Sequence, residues 1–144
     1  MRGWSALARV VLDTNVILDY LSAKREHHRD AVDLLEELFY NDGEVVIPAG
    51  CIKDAYYILC RHYHDEEIVR LRLDGFRQVV QVAELTNAVL DVAFSSNEPD
   101  LEDGMVRATA ELCGADAIIT RDERAYRAST VPSMDARTYL SRLE

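Results

Sequence analysis

Apolar residues along this chain fall into two alternating rhythms. Short runs rich in β-branched or aliphatic residues occur at 9–13 (RVVLD), 44–47 (EVVI), 82–85 (VAEL) and 115–120 (ADAIIT), the length and make-up of buried strands. Between them the apolar positions recur at helical spacing. A turn or two of helix is predicted over 16–21, beginning at Thr14 and Asn15. A second helix carries Ala31, Leu34, Leu35, Leu38 and Phe39 and stops at Asn41-Asp42-Gly43. A third carries Cys51, Ile52, Ala55, Ile58, Leu59 and His62 on one face, with Asp54 at its border. Asp65, Glu66 and Glu67 open a helix that runs to about residue 80. Residues 87–95 form another, and 101–113 a last one, with Met105, Ala108, Thr109 and Leu112 on one face and Gly114 as its stop. Pro48, Pro99 and Pro132 fall at boundaries, and neither a repeat nor a flexible linker interrupts the pattern, so residues 1–144 read as one domain.

Short apolar strands alternating with amphipathic helices predict an α/β fold, a parallel sheet with helices on both faces. Ligands of such sheets bind beyond the carboxyl ends of the strands. Asp13 closes the first strand there, and Asp122 follows Ile118-Ile119-Thr120 by two residues. Asp103 begins the helix that leads into that strand. Each acid also has a local explanation: Asp13 as an Asx cap, Asp100, Glu102 and Asp103 as a helix N-terminus, Asp122 as the cap of a short helix over 123–128, Asp54 as a solvated residue. Topology nevertheless brings them from distant positions to one sheet edge. Two carboxylates about 4 Å apart repel by roughly 4 kcal/mol at an effective dielectric near 20. A hard divalent cation, Mg²⁺ or Mn²⁺, relieves that repulsion, needs only one or two carboxylates plus water, and leaves positions open for a phosphate.

Composition modifies this picture at a few points. The formal net charge is -10 over 144 residues, which opposes nonspecific affinity for nucleic acid. Arginines cluster, however, at Arg61, Arg70, Arg72 and Arg77 and again at Arg107, Arg121, Arg124 and Arg127, leaving room for local basic surface. Cys51, Cys60 and Cys113 lack the spacing of a zinc site and read as buried free thiols. His62 reads as a core-edge residue and His64 as a solvated one. Tyr56 and Tyr57 could stack on bases, but core packing or a dimer contact is the better account of at least one of them, and neither is counted as a site residue. Nucleotide-binding glycine loops, the strand-elbow serine and the metalloprotease helix motif are all missing. Residues 1–8 are too short and too weakly apolar for a signal peptide, and no apolar run reaches the ~20 residues of a membrane span. The expected location is the cytoplasm.

Four segments together resemble the PIN-domain family, in particular its VapC-like toxin ribonucleases: VLDTNVIL at 11–18, IPAGCIKDAYYIL at 47–59, DLEDGMVRATA at 100–110 and GADAIITRD at 114–122. The order and spacing agree over nearly the whole chain. That resemblance implies a Mg²⁺- or Mn²⁺-dependent endoribonuclease acting on RNA, commonly the toxin of a toxin–antitoxin pair, with a cognate antitoxin and a homodimer as partners. It implies Asp13 and Asp103 as principal metal ligands, Asp54 as a ligand directly or through water, and Asp122 as a ligand to a second or weaker ion. Thr14, Asn15 and Thr120 would hold those carboxylates in place. Asp54 stands where the family usually has Glu, one methylene longer, and Asp100 is an alternative third acid. Lys53 adds a charge beside Asp54. The competing reading is a PIN-like domain that has lost cleavage and binds RNA or protein. A phosphohydrolase would want a second Asp at Asn15, and a phospho-receiver a Lys at Arg121.

Overall fold

The computed structural model describes residues 7–143, so of the stretch read as too short for a signal peptide only Leu7 and Ala8 are covered. Strands β1 (Arg9–Leu12), β2 (Glu44–Pro48), β3 (Gln81–Ala83), β4 (Ala117–Ile119) and β5 (Ser133–Met134) form one sheet in the order β3-β2-β1-β4-β5. Every pairing is parallel. The helices are α1 (Thr14–Leu21), α2 (His28–Tyr40), α3 (Ala49–Tyr63), α4 (Glu66–Val79), α5 (Asn87–Ser95), α6 (Leu101–Cys113) and α7 (Ala136–Leu143).

Val10, Val11 and Leu12 of β1, and Ala117, Ile118 and Ile119 of β4, are all fully buried. Successive strand side chains point to opposite faces, so burial of three in a row means that helices cover both, as the apolar runs predicted. Local signals set the ends of the helices. Asp65 and Thr86 cap α4 and α5 by accepting the N–H groups of Ile68 and Val89, and Gly114 leaves α6 at φ 69, where a side chain would be strained.

In this strand order β2 and β3 lie on one side of β1, and β4 and β5 on the other. The connections diverge between β1 and β4, and a crevice opens beyond the carboxyl ends of those two strands. Leu12 pairs with Ile119, so Asp13 and Thr120 follow side by side at the crevice. The Asp13 N–H donates to the Ile119 carbonyl at 3.0 Å.

Several local expectations are corrected. The buried stripe of α3 is Cys51, Ala55 and Leu59, at four-residue spacing; its next position is Tyr63, so His62 is exposed along with His64. On α6 the covered residues are Gly104, Val106, Ala108, Thr109 and Ala110, while Leu112 is exposed. Val106 and Ala110 face the main core, and Ala108 faces Val89 and Ala93 of α5, so two sides of α6 are covered rather than one. Strand β3 starts a residue earlier than predicted and ends at Ala83, where its pairing with Pro48 stops. No helix forms over 123–128: the path from β4 to β5 is made of turns, with Tyr126 at φ 68. Neither β5 nor α7 was anticipated. Helix α7 buries Ala136, Tyr139 and Leu140 and packs on α2, where Arg137 pairs with Asp30 and Asp33.

Candidate functional site

Asp13 sits at the turn from β1 into α1, and the residue is only 8% exposed. Its Oδ1 accepts the Thr14 N–H at 2.7 Å, and its Oδ2 accepts the Thr120 hydroxyl at 2.9 Å and the Tyr126 hydroxyl at 2.8 Å. These donors compensate the charge for lost water. Thr120 is the junction. While donating to Asp13, its Oγ1 accepts the Asp122 N–H at 3.0 Å and lies 3.4 Å from Asn15 Nδ2. Asn15 Oδ1 accepts the Arg121 N–H at 3.1 Å, which ties the start of α1 to the end of β4.

Asp103 projects from the first turn of α6. Burial, and then the negative charges of Asp13, Asp100, Asp122 and Glu98, push its carboxyl up to about 6. Tyr126 Oη lies 3.4 Å from its Oδ1. Asp122 is exposed, and its Oδ1 accepts the N–H groups of Arg124 and Ala125 at 2.9 and 3.3 Å, closing a turn instead of starting a helix. Asp100 is the N-cap of α6, with Oδ1 accepting from Glu102 and Asp103 N–H at 2.8 and 3.2 Å.

A cleft of about 720 Å³ collects Asp13, Thr14, Asn15, Asp54, Glu102, Asp103 and Asp122 along its walls, with Lys53 and Tyr57. Asp100 is not part of that lining. A groove of about 760 Å³ between α3 and α4 carries mixed charge, with Glu66, Glu67 and Asp74 alongside Arg70 and Arg77. Four of the eight clustered arginines are ion-paired: Arg70 with Glu66, Arg77 with Asp74, Arg107 with Glu98 and Glu111, and Arg121 with Asp19. Local basic surface is therefore smaller than the sequence suggested.

The cleft offers carboxylate oxygen and little else for a cation. No histidine is among its lining residues, and burial pushes the Cys51 thiol up to about 12, so it stays protonated. Such a donor set fits a hard divalent cation rather than zinc. Among the described residues no group of three or more His, Cys, Asp or Glu side chains is close enough together to hold a metal ion. An open set of one or two carboxylates completed by water is the usual arrangement for Mg²⁺.

The family model of the PIN domain matches residues 9–124. The chain belongs to the PIN-domain family. This PIN domain is 25% identical over 126 residues to Ribonuclease VapC1 of Aquifex aeolicus (strain VF5), covering 82% of this chain and 84% of that protein. Its fold is similar to Mycobacterium tuberculosis VapC20, described as a sarcin-ricin loop cleaving toxin, with a TM-score of 0.64, 16% identity, and 78% and 89% of the two chains covered. It is also similar to a chain of DNA-bound VapBC from Salmonella typhimurium, with a TM-score of 0.67, 17% identity, and 90% and 99% covered.

Two contributors to the centre of this PIN domain carried no recognised signal. Tyr126 is a buried aromatic inside the polar segment 121–130, without a periodic apolar partner that would mark it as inward-facing. Glu98, beside Pro99, accepts the Tyr126 N–H at 2.8 Å. An isolated large apolar residue in a polar segment was the one available hint.

Proposed function

We propose that this PIN domain is a Mg²⁺- or Mn²⁺-dependent endoribonuclease and the toxin of a toxin–antitoxin pair. The observation that carries the reading is the cleft at the β1/β4 divergence, where Asp13, Asp54, Asp103 and Asp122 share one set of walls. Asp13 and Asp103 would be the principal ligands, Asp54 a ligand directly or through water, and Asp122 a weaker one. A cation held there supplies charge neutralisation at phosphorus and a water of lowered pKa.

The chain's own residues have distinct tasks in this reading. Asp13, fixed by Thr14, Thr120 and Tyr126, keeps a preset orientation. Asn15 and Thr120 lock the two strand ends that flank the centre. Lys53 brings positive charge to a cleft whose other charged lining residues are acids, and there it can meet a substrate phosphate. Tyr57, exposed on the cleft wall, offers a face for a base. Support for a protein partner comes from the Salmonella typhimurium relative, which was solved as VapBC.

The test is cleavage of single-stranded and structured RNA with and without EDTA, repeated with Asp13→Asn and Asp103→Asn. Either substitution should lower the rate by at least ~10²-fold, in line with loss of a charge-stabilising group. Undiminished cleavage in EDTA and in both variants would end the reading.

A second reading, a PIN domain that binds without cleaving, is favoured by the open ligand set and by Asp54 in place of the longer Glu. Calorimetric titration with Mn²⁺ separates the two. Submillimolar binding lost in Asp13→Asn belongs to the nuclease, and a flat isotherm in the parent protein to the binding module.

A further inference from the structure

We propose that Tyr126 is a positioning residue of the acidic centre: its hydroxyl stands between Asp13 and Asp103 and fixes the separation at which the two carboxylates receive a divalent cation. The inference rests on the metal-dependent reading above. The Tyr126 Oη is 2.8 Å from Asp13 Oδ2 and 3.4 Å from Asp103 Oδ1. A phenol has one proton to donate, and the shorter contact takes it. Asp103 thereby lies one hydroxyl away from Asp13, on the far side of the Tyr126 oxygen.

The backbone is organised around this placement. Tyr126 is 2% exposed and adopts φ 68, a conformation that bulky residues rarely occupy. Such strain persists only where the surroundings over-determine it. Here the Tyr126 N–H is held by Glu98 Oε2 at 2.8 Å, and its carbonyl accepts the Ser129 N–H at 3.1 Å. Glu98 is itself held by Arg107 at 3.4 Å, and the Arg107 Nη2 donates to the Ala128 carbonyl at 3.0 Å. A phenylalanine would fill the same core volume, so space-filling does not account for a hydroxyl aimed at two carboxylates. With Thr120 on the same oxygen, Tyr126 pins Asp13 Oδ2, and Oδ1, which accepts a single N–H, keeps capacity toward the cleft.

The test is the Mn²⁺ affinity of Tyr126→Phe, measured by calorimetry in the absence of RNA. Loss of an outer hydrogen bond to a ligand carboxylate typically weakens metal binding 10–100-fold, so a Kd raised at least ~10-fold is expected, with secondary structure unchanged by circular dichroism. A purely structural tyrosine would lower the melting temperature and leave the Kd alone. A Kd within about twofold of the parent overturns the proposal and leaves the metal reading standing, whereas a flat isotherm in the parent overturns both. Should Tyr126→Phe fail to fold, parent protein carrying ¹³Cζ-tyrosine gives the answer. A slowly exchanging, buried tyrosine resonance moves as Mg²⁺ is added, with the Kd that calorimetry gives for Mg²⁺ and the parent protein. If every such resonance stays fixed while Mg²⁺ binds, the proposal is overturned.

Discussion

Asp103 holds its proton to a higher pH than an ordinary carboxyl, up to about 6, because burial and four neighbouring acids disfavour its charge. The folded protein therefore binds that proton where the unfolded chain, with a value near 4, has lost it. Stability contributed by this site is full below about pH 4, declines as pH rises to about 6, and stays reduced above. Asp103→Asn removes the decline. In EDTA, the melting temperature of the variant should match the parent near pH 4 and exceed it by a few degrees at pH 7.5 in scanning calorimetry; a variant less stable at pH 7.5 would refute the argument. Asp100 offers a contrast. Its Oδ1 caps α6, so Asp100→Asn keeps the cap and should preserve both stability and cleavage, while Asp100→Ala should lose about 1 kcal/mol in urea unfolding. Asp13 could be found in the sequence because it follows an apolar strand directly, and Asp103 because it opens a helix. Tyr126 could not: its inward position is set by Glu98 and Arg107, remote contacts that no local pattern records.

Periodicity exposed the helices that cover the sheet, since an amphipathic stripe is written into consecutive turns. It failed after Thr120, where β5 has only two residues and exists by pairing with Ile118 and Ile119. The crossover before it turns at Tyr126 because side chains from elsewhere capture its backbone. Truncation of Ile118, fully buried in β4, should lower stability by about 3 kcal/mol in Ile118→Ala. A similar loss, about 3 kcal/mol, is expected for Arg107→Ala, which strands the buried Glu98 carboxylate. Equilibrium urea denaturation distinguishes these from surface changes such as Arg29→Ala, whose helical pair with Asp33 should matter by no more than about 0.5 kcal/mol.

The molecule as a whole carries a net charge of -10, and the charged residues lining the cleft proposed for RNA are acids apart from Lys53. A polyanion approaching it meets like charge at long range, so screening should help encounter. The association rate with single-stranded RNA, followed by stopped-flow fluorescence at fixed Mg²⁺, should rise between about 20 and 150 mM monovalent salt. Ordinary basic nucleic-acid binders show the opposite trend, and a falling rate here would place the encounter on a positive surface instead. The helix-free path from β4 to β5 has a further result. Glu98 holds the amide of Tyr126 and Glu111 that of Thr130, both reaching over from α6 and the loop before it. Those two amides should therefore lose protection against deuterium together with α6, as one opening unit, and not with the strand that precedes them in the chain.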